Sequence, residues 1–357
     1  MAALSSADRE AVAFIALEGV KGLGVRRIRT MWEEHGSGCA ALDACPGRPD
    51  VRAAARIVER ARRMGVRTIP LGHPEYPTSL YDLHDPPPVL YVRGAGWPGL
   101  DSIIAIVGTR RASPYGRRIA ARLARDLARW GWTVVSGMAV GIDAAAHGGS
   151  LDEDGQTIGV LGSGHEHEYP PGNRALYARM KRRGWLISEF PPPAAPFRAS
   201  FPRRNRLIAA LSRGVIVVEA GEKSGALNTA SHGLDLGREI MAVPARVGDR
   251  AGVGTLRMLR DGAALVTDVR DVFDALGWVH DDPTPERSAI ASAGRDAWLV
   301  ESLGADELTA SELALTSGRK VGETATALGR LEIDGKVARS LDGRFYLLDR
   351  ISGRDSR

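Results

Sequence analysis

The segment Phe197-Arg198-Ala199-Ser200-Phe201-Pro202-Arg203-Arg204-Asn205-Arg206 sets four arginines and two phenylalanines within ten residues, directly ahead of the apolar run Leu207-Ile208-Ala209-Ala210-Leu211. A buried core does not accept four guanidinium groups without partners, so most of them are expected to face outward. Guanidinium groups hold phosphates bidentately, and an aromatic face gives an unpaired base a surface to stack on. The pattern points to a strand of nucleic acid whose bases are free. A solvated helix start with surface ion pairs is the competing reading of these ten residues.

Such a segment needs a scaffold. From Ser102 onward, short apolar runs alternate with helix-like stretches: residues 103–107, 133–136, 157–161, 186–190, 215–219, 240–243 and 264–266. Several are continuous rather than alternating, which implies strands covered on both faces. Strands separated by helices give an α/β fold with a parallel, doubly wound sheet, whose ligands sit beyond the carboxyl ends of the strands. Four such ends carry chemistry. Gly108-Thr109-Arg110-Arg111 leads into a helix start and is expected to seat an anion. Ser136-Gly137-Met138-Ala139-Val140-Gly141-Ile142-Asp143 is a second small-residue turn, with Asp143 either capping its helix, the reading preferred, or contacting a sugar. The arginine segment is the third, after Ser188-Glu189-Phe190. Glu219-Ala220-Gly221-Glu222-Lys223-Ser224-Gly225 is the fourth. Four adjacent seats fit an extended polyanion better than one small phosphate ester. There is no GxGxxG fingerprint, so no nicotinamide cofactor is expected.

The flanks read differently. Residues 1–65 form a small helical domain, similar to a helix-hairpin-helix or SAM-like module, whose glycine turn at 19–24 either offers amides to a phosphate or simply packs. Residues 66–100, broken by Asp85-Pro86-Pro87-Pro88, read as a connector with an edge strand at Val89-Leu90-Tyr91-Val92. The sheet domain spans 101–278, and a linker follows at 279–295. Residues 296–350 show two helical stretches and a hairpin turning at Asp342-Gly343, consistent with a winged-helix-like domain that binds DNA or a protein. The 357-residue chain carries a formal charge of +5, supplied mostly by arginine, which fits an anionic partner without proving one. Two cysteines are too few for a disulfide framework. Neither an N-terminal signal region nor a membrane-length apolar window is present, so a soluble, cytoplasmic protein is expected.

Six motifs then line up. Val107-Gly108-Thr109-Arg110 comes first, followed by Val135-Ser136-Gly137-Met138-Ala139-Val140-Gly141-Ile142-Asp143-Ala144-Ala145-Ala146-His147. Leu161-Gly162-Ser163-Gly164 with Tyr169-Pro170-Pro171-Gly172-Asn173 is the third, and Ser188-Glu189-Phe190-Pro191 the fourth. Phe201-Pro202-Arg203-Arg204-Asn205-Arg206 and Ser224-Gly225-Ala226-Leu227-Asn228-Thr229-Ala230 complete the set. In this order and spacing, over residues 103–276, they resemble the DNA-processing protein DprA (Smf) family. The resemblance implies an extended Rossmann-like domain that dimerises and a role without catalysis. The protein would bind single-stranded DNA, protect it, and load the recombinase RecA onto it during natural transformation. Carried over residue by residue, the basic pocket falls on Arg110, Arg198, Phe201, Arg204 and Arg206, lined by Ser224 and Gly225. Arg203, Gly108 and Thr109 stand in the same motifs and complete the candidate site. Thr109 replaces a common serine and keeps the hydroxyl. Asn228 replaces a common apolar residue, which leaves the packing of that helix start open.

On this reading, Arg110, Arg198, Arg204 and Arg206 hold successive phosphates and Phe201 stacks on a base, unless Phe201 is a core or hinge residue of its loop. The main rival is a nucleotide phosphoribohydrolase, which shares this sheet but carries a PGGxGT loop; here that place reads Ala220-Gly221-Glu222-Lys223-Ser224-Gly225-Ala226. A third class is an interaction protein whose C-terminal module recruits a partner. His165-Glu166-His167-Glu168 matches no established metal spacing and is expected to sit in solvent. Asp143, His147 and His232 are expected to be capping or core-bonded groups rather than catalytic ones.

Overall fold

Strand β3 (Ile103–Val107) shows why the central sheet forms. Ile103, Ala105 and Val107 enter one buried cluster, whereas Ile104 and Ile106 enter another on the opposite face. Alternate side chains thus feed two separate cores, which is what a continuous apolar run does when helices cover both faces. The computed structural model describes residues 5–94, 96–97, 102–278, 296–303, 307–334, 336–340 and 342–347.

The first compact unit, Met1–Val279, opens with α1 (Ser6–Glu18), α2 (Val25–His35), α3 (Gly38–Asp43) and α4 (Val51–Arg63). Strands β1 (Arg67–Pro70) and β2 (Val89–Arg93) come next, followed after β3 by α5 (Pro114–Arg129), β4 (Thr133–Ser136), α6 (Ile142–Asp152), β5 (Thr157–Val160), α7 (Arg174–Arg183) and β6 (Trp185–Ser188). The chain then crosses back through α8 (Ser200–Leu211) into β7 (Gly214–Val217), α9 (Gly225–Asp235), β8 (Glu239–Ala242), α10 (Val253–Arg260), β9 (Ala264–Leu265) and α11 (Val269–Ala275). Nine described strands form one sheet in the order β1-β2-β6-β5-β4-β3-β7-β8-β9. The run from β6 to β9 is parallel, and β2 and β1 extend it antiparallel. This is a Rossmann-like α/β fold.

Residues 66–100 are therefore not a connector. β2 lies between β1 and β6, so the expected edge strand is interior, and Val89 to Val92 are buried on both faces. The prolines that suggested a break lie before β2, where they cost no ladder hydrogen bond. Ala11, Val12 and Phe14 to Leu17 of α1 share the buried cluster of β1, β2 and α8, so the N-terminal helices close over the same core as the sheet. No helix among the described residues is long and apolar enough to cross a membrane.

The second unit, His280–Arg357, contains α12 (Ala297–Leu303), α13 (Ala310–Ser317) and α14 (Val321–Ile333), closed by the antiparallel pair β10 (Val337–Arg339) and β11 (Phe345–Leu347). Leu299, Leu303, Leu313, Leu328, Leu331 and Val337 form its core. Thr309 and Glu312 cap α13 reciprocally, as the sequence Thr309-Ala310-Ser311-Glu312 predicts. The linker expected at 279–295 lies outside the described residues.

Candidate functional site

The strand order reverses at β3. From β3 the chain winds outward through β4 and β5 to β6, then returns through α8 and pairs β7 with the free edge of β3. Val107 lies beside Val217, so the two strands end level and their loops part in opposite directions. A crevice is obligatory at such a switch point. It holds about 810 Å³ and is walled by the loops after β3, β4 and β7 and by α8.

Each wall is fixed by its own bonds. Thr109 N donates to the Glu219 carbonyl at 2.7 Å, tying the β3 loop to the β7 loop. Ser200 Oγ donates to the Gly162 carbonyl at 2.5 Å and seats the start of α8 on the loop after β5. That places the Phe201 ring against Gly162, where an added Cβ would come within 2.7 Å of ring carbon Cδ1. The exposed Arg110 guanidinium lies 5.2 Å from the ring centroid and Tyr169 lies 5.5 Å away on another side. Phe201 is half-buried and lines the cleft, so its ring sits in the wall rather than in the core. Tyr169 is held in turn by Tyr177, whose hydroxyl donates to the Tyr169 carbonyl at 2.9 Å.

The arginines divide two and two. Arg198 and Arg203 are exposed, but Arg204 and Arg206 are buried, against the expectation that most face outward. Arg204 reaches the cleft wall yet spends its donors inside: Nη1 donates to the carbonyls of Gly137 (2.6 Å) and Val160. Burial pulls its pKa down to about 10, with Asp143 opposing that shift, so it stays charged at neutral pH. Arg206 donates to Glu189 at 2.7 Å and Arg203 to the same carboxylate at 2.9 Å. Neither residue lines the cleft. The structure therefore does not bring Arg203 and Arg206 to the site, because the buried Glu189 takes both.

Two helix starts differ from expectation. At α5 the Ser113 hydroxyl caps Gly116 N at 2.9 Å, and the buried Glu219 carboxylate accepts from Ser113 N at 2.9 Å and from its hydroxyl. An internal carboxylate thus occupies the seat expected for an anion. Asp143 does not cap α6; it accepts from the amides of Gly137 (3.2 Å) and Ala139 (3.3 Å) in the loop before it. Burial raises its pKa, opposed by Arg204 and by those amides. Gly137 has no alternative here, since a Cβ would lie 2.5 Å from the Arg204 guanidinium.

Gly108, Thr109, Arg110, Arg198, Phe201, Arg204, Ser224 and Gly225 all line the crevice. Ser224 caps α9, and Gly225 is exposed at its first turn. The substituted Asn228 has a partner: Asn205 Nδ2 donates to its Oδ1 at 3.1 Å, joining α8 to α9. Sequence reasoning missed Arg111, Lys223, Tyr169 and Phe197 as lining residues. Arg111 and Lys223 adjoin chosen residues and could have been included by position, whereas Tyr169 is brought in only by tertiary folding. Arg110, Arg111, Arg198, Arg204 and Lys223 face a single carboxylate, Asp143, so the cleft is strongly positive.

Among the remaining candidates His165 and His147 are buried, Glu166 is exposed, and His167, Glu168 and His232 are partly buried. His165 is buried with Nε2 bonded to the Tyr91 carbonyl at 2.9 Å, contrary to the solvated loop expected, and burial lowers its pKa to about 4. Glu166 pairs with Arg60 and Glu168 with Lys181. His147 is core-bonded to Thr157 Oγ1 at 2.7 Å, and burial lowers its pKa to about 3. Among the described residues no group of three or more His, Cys, Asp or Glu side chains is placed to hold a metal.

Sheet and site together define a Rossmann-like protein with a cationic, aromatic-walled cleft at its switch point. Residues 67–277 match the family model described as DNA recombination-mediator protein A, and the chain belongs to that family. It is 40% identical to the DNA processing protein DprA of Bacillus subtilis over 222 residues, which are 62% of this chain and 75% of the relative. The X-ray structure of DprA from Streptococcus pneumoniae superposes with a TM-score of 0.63 at 28% identity, covering 74% of this chain and 97% of that one. A Helicobacter pylori DprA structure, described for its single-stranded DNA binding mode, superposes with a TM-score of 0.52 at 32% identity, over 56% of this chain and 92% of its own.

Proposed function

We propose that this protein binds single-stranded DNA in the switch-point cleft, shields it, and presents it to the recombinase RecA, acting as a non-enzymatic cytoplasmic homodimer in DNA processing and transformation. The observation that carries the reading is the Phe201 ring, set in a strongly positive wall beside Arg110 and Tyr169. Arg110, Arg111, Arg198 and Lys223 hold successive phosphates, joined by the amide of Gly225 at the start of α9, whereas the Ser224 amide is already given to the Gly221 carbonyl at 3.0 Å. Phe201 stacks on a base, which is worth about 1–3 kcal/mol and asks for no particular sequence. Arg204 acts behind them, fixing the loops after β4 and β5. Bases in a duplex are already paired and stacked, so they cannot reach the ring, and a duplex binds less well. The single-stranded DNA binding described for the Helicobacter relative supports this reading. The three-helix and hairpin unit suits a winged-helix-like accessory module.

Fluorescence anisotropy with a mixed-sequence oligonucleotide, single-stranded against duplex, tests the proposal on the wild type, Arg110→Ala and Phe201→Ala. A single-strand preference that both variants weaken is expected. Equal affinity for the two forms, or a preference that neither variant alters, would sink it. Absence of DNA binding would turn attention to a small nucleotide as the ligand of the same cleft.

A further inference from the structure

Helix α4 buries Ala54, Val58 and Ala61 and turns the opposite face to solvent. Arg52, Arg56, Arg60 and Arg63 occupy that outer face at spacings of four, four and three, so they form one stripe along the helix. Arg60 is engaged: its guanidinium makes a two-point pair with Glu166. Arg52, Arg56 and Arg63 have no carboxylate partner among the described residues. A solvated helix face ordinarily mixes charges, pairing acids with bases four residues apart. Here the one acid of the helix, Glu59, pairs with Arg62 at 2.6 Å, and three of the four arginines of the stripe, Arg52, Arg56 and Arg63, remain unneutralised.

Its location gives the row a partner. Glu166 stands three residues before Tyr169, a lining residue of the cleft, so the residue that Arg60 holds lies within about 10 Å of chain from the cleft wall. Glu166 follows β5, and β5 is two strands, about 10 Å, from β3 along the same edge of the sheet. From Arg60 back to Arg52 the helix runs a further 12 Å or so. We infer that the α4 arginine stripe is a second contact for the phosphate backbone of single-stranded DNA, engaged by the strand after it leaves the cleft on the Tyr169 side. This rests on the single-strand reading of the cleft and extends its footprint to the N-terminal helices. Guanidinium groups without base-stacking rings beside them hold a backbone but read no sequence, so the stripe lengthens the bound site rather than specifying it.

The test is a length series on the full chain. Wild type and the triple variant Arg52→Ala/Arg56→Ala/Arg63→Ala are titrated with oligo-dT of about 6 nucleotides, enough for the cleft alone, and of about 30, enough for both surfaces. Arg110→Ala serves as the cleft control, and a triple Arg→Lys variant keeps the charge. Each phosphate contact on a single strand contributes about 0.7 to the salt slope, so three lost contacts lower the slope on the long probe by about 2 and its affinity by up to about 100-fold near 0.1 M salt. The short probe is expected to bind all α4 variants as it binds wild type, and the lysine variant is expected to recover most of the slope. Unchanged binding of the long probe to the alanine variant overturns the inference, as does an equal loss on both probes. Loss of both probes in Arg110→Ala with length-independent behaviour in the α4 variant overturns the inference while leaving the cleft reading intact. Failure of wild type to bind either probe removes both.

Discussion

Replacing Arg204 by alanine removes a guanidinium that is 4% exposed and donates to two carbonyls at the ends of β4 and β5. It also takes away the largest opposing influence on the buried Asp143. Breaking a buried charged arrangement by deleting one side costs about 3–5 kcal/mol, and each carbonyl left unpaired adds to that figure rather than standing apart from it. For a domain of this size a loss of that order lowers Tm by roughly 6–20 °C. Urea unfolding followed by tryptophan fluorescence, to which the buried Trp132 contributes, measures it directly. The pH dependence adds a signature. The folded carboxyl of Asp143 is already raised by burial, and without Arg204 it rises further. A raised carboxyl stabilises the fold at low pH and loses that contribution as pH climbs through its folded value, so the deficit of Arg204→Ala relative to wild type is expected to shrink on acidification. If Arg204→Ala unfolds at the wild-type urea concentration while losing DNA affinity, the residue is a phosphate ligand and the strut argument fails.

Three further outcomes follow from the same geometry. Gly162→Ala puts a methyl within 2.7 Å of the half-buried Phe201 ring; the ring is expected to swing into the cleft, with a stability change of no more than about 1–3 kcal/mol and a loss of single-strand affinity of up to the worth of one stacked base, read by anisotropy. Arg206→Ala leaves the buried Glu189 to Arg203 alone, so stability falls by up to about 3–5 kcal/mol in urea titrations while the salt slope of DNA binding stays at the wild-type value. Acid should destabilise the sheet unit through His147 and His165, whose folded pKa values of about 3 and 4 lie below the ordinary 6.5. Stability present above pH 6.5 is lost toward pH 4 at about 1.4 kcal/mol per pH unit for each ring, and His147→Gln or His165→Gln should each remove one such contribution from a urea series between pH 7 and 5.

The seven parallel strands were legible because each centres on a short apolar run, and residues such as Ile103 to Val107 have no polar position to betray an exposed face. The loops beyond the strand ends, together with the family motifs, pointed to Arg110, Phe201, Ser224 and Gly225, whereas the reversal of strand order at β3 is visible only in the fold. The connector was misread because Pro86 to Pro88 dominate the local signal, while the partner strands of β2 lie elsewhere in the chain. The division of the arginines was invisible for a related reason. Arg203 and Arg206 are claimed by Glu189, 14 and 17 residues earlier, and Arg204 by backbone carbonyls that any sequence would supply. The anion seat at α5 failed likewise, because its occupant, Glu219, comes from a strand end 106 residues away. Charge type is written in the sequence, but which charges are already spent is settled by tertiary pairing.

The salt dependence of short-oligonucleotide binding tests the central claim most directly. With Arg110, Arg111, Arg198 and Lys223 each holding a phosphate, log K for the short oligo-dT is expected to fall against log salt with a slope of about −3, and Arg110→Ala or Arg198→Ala should each make it shallower by about 0.7. A wild-type slope near zero, or one that those substitutions leave unchanged, would contradict a cleft that holds DNA by its phosphates.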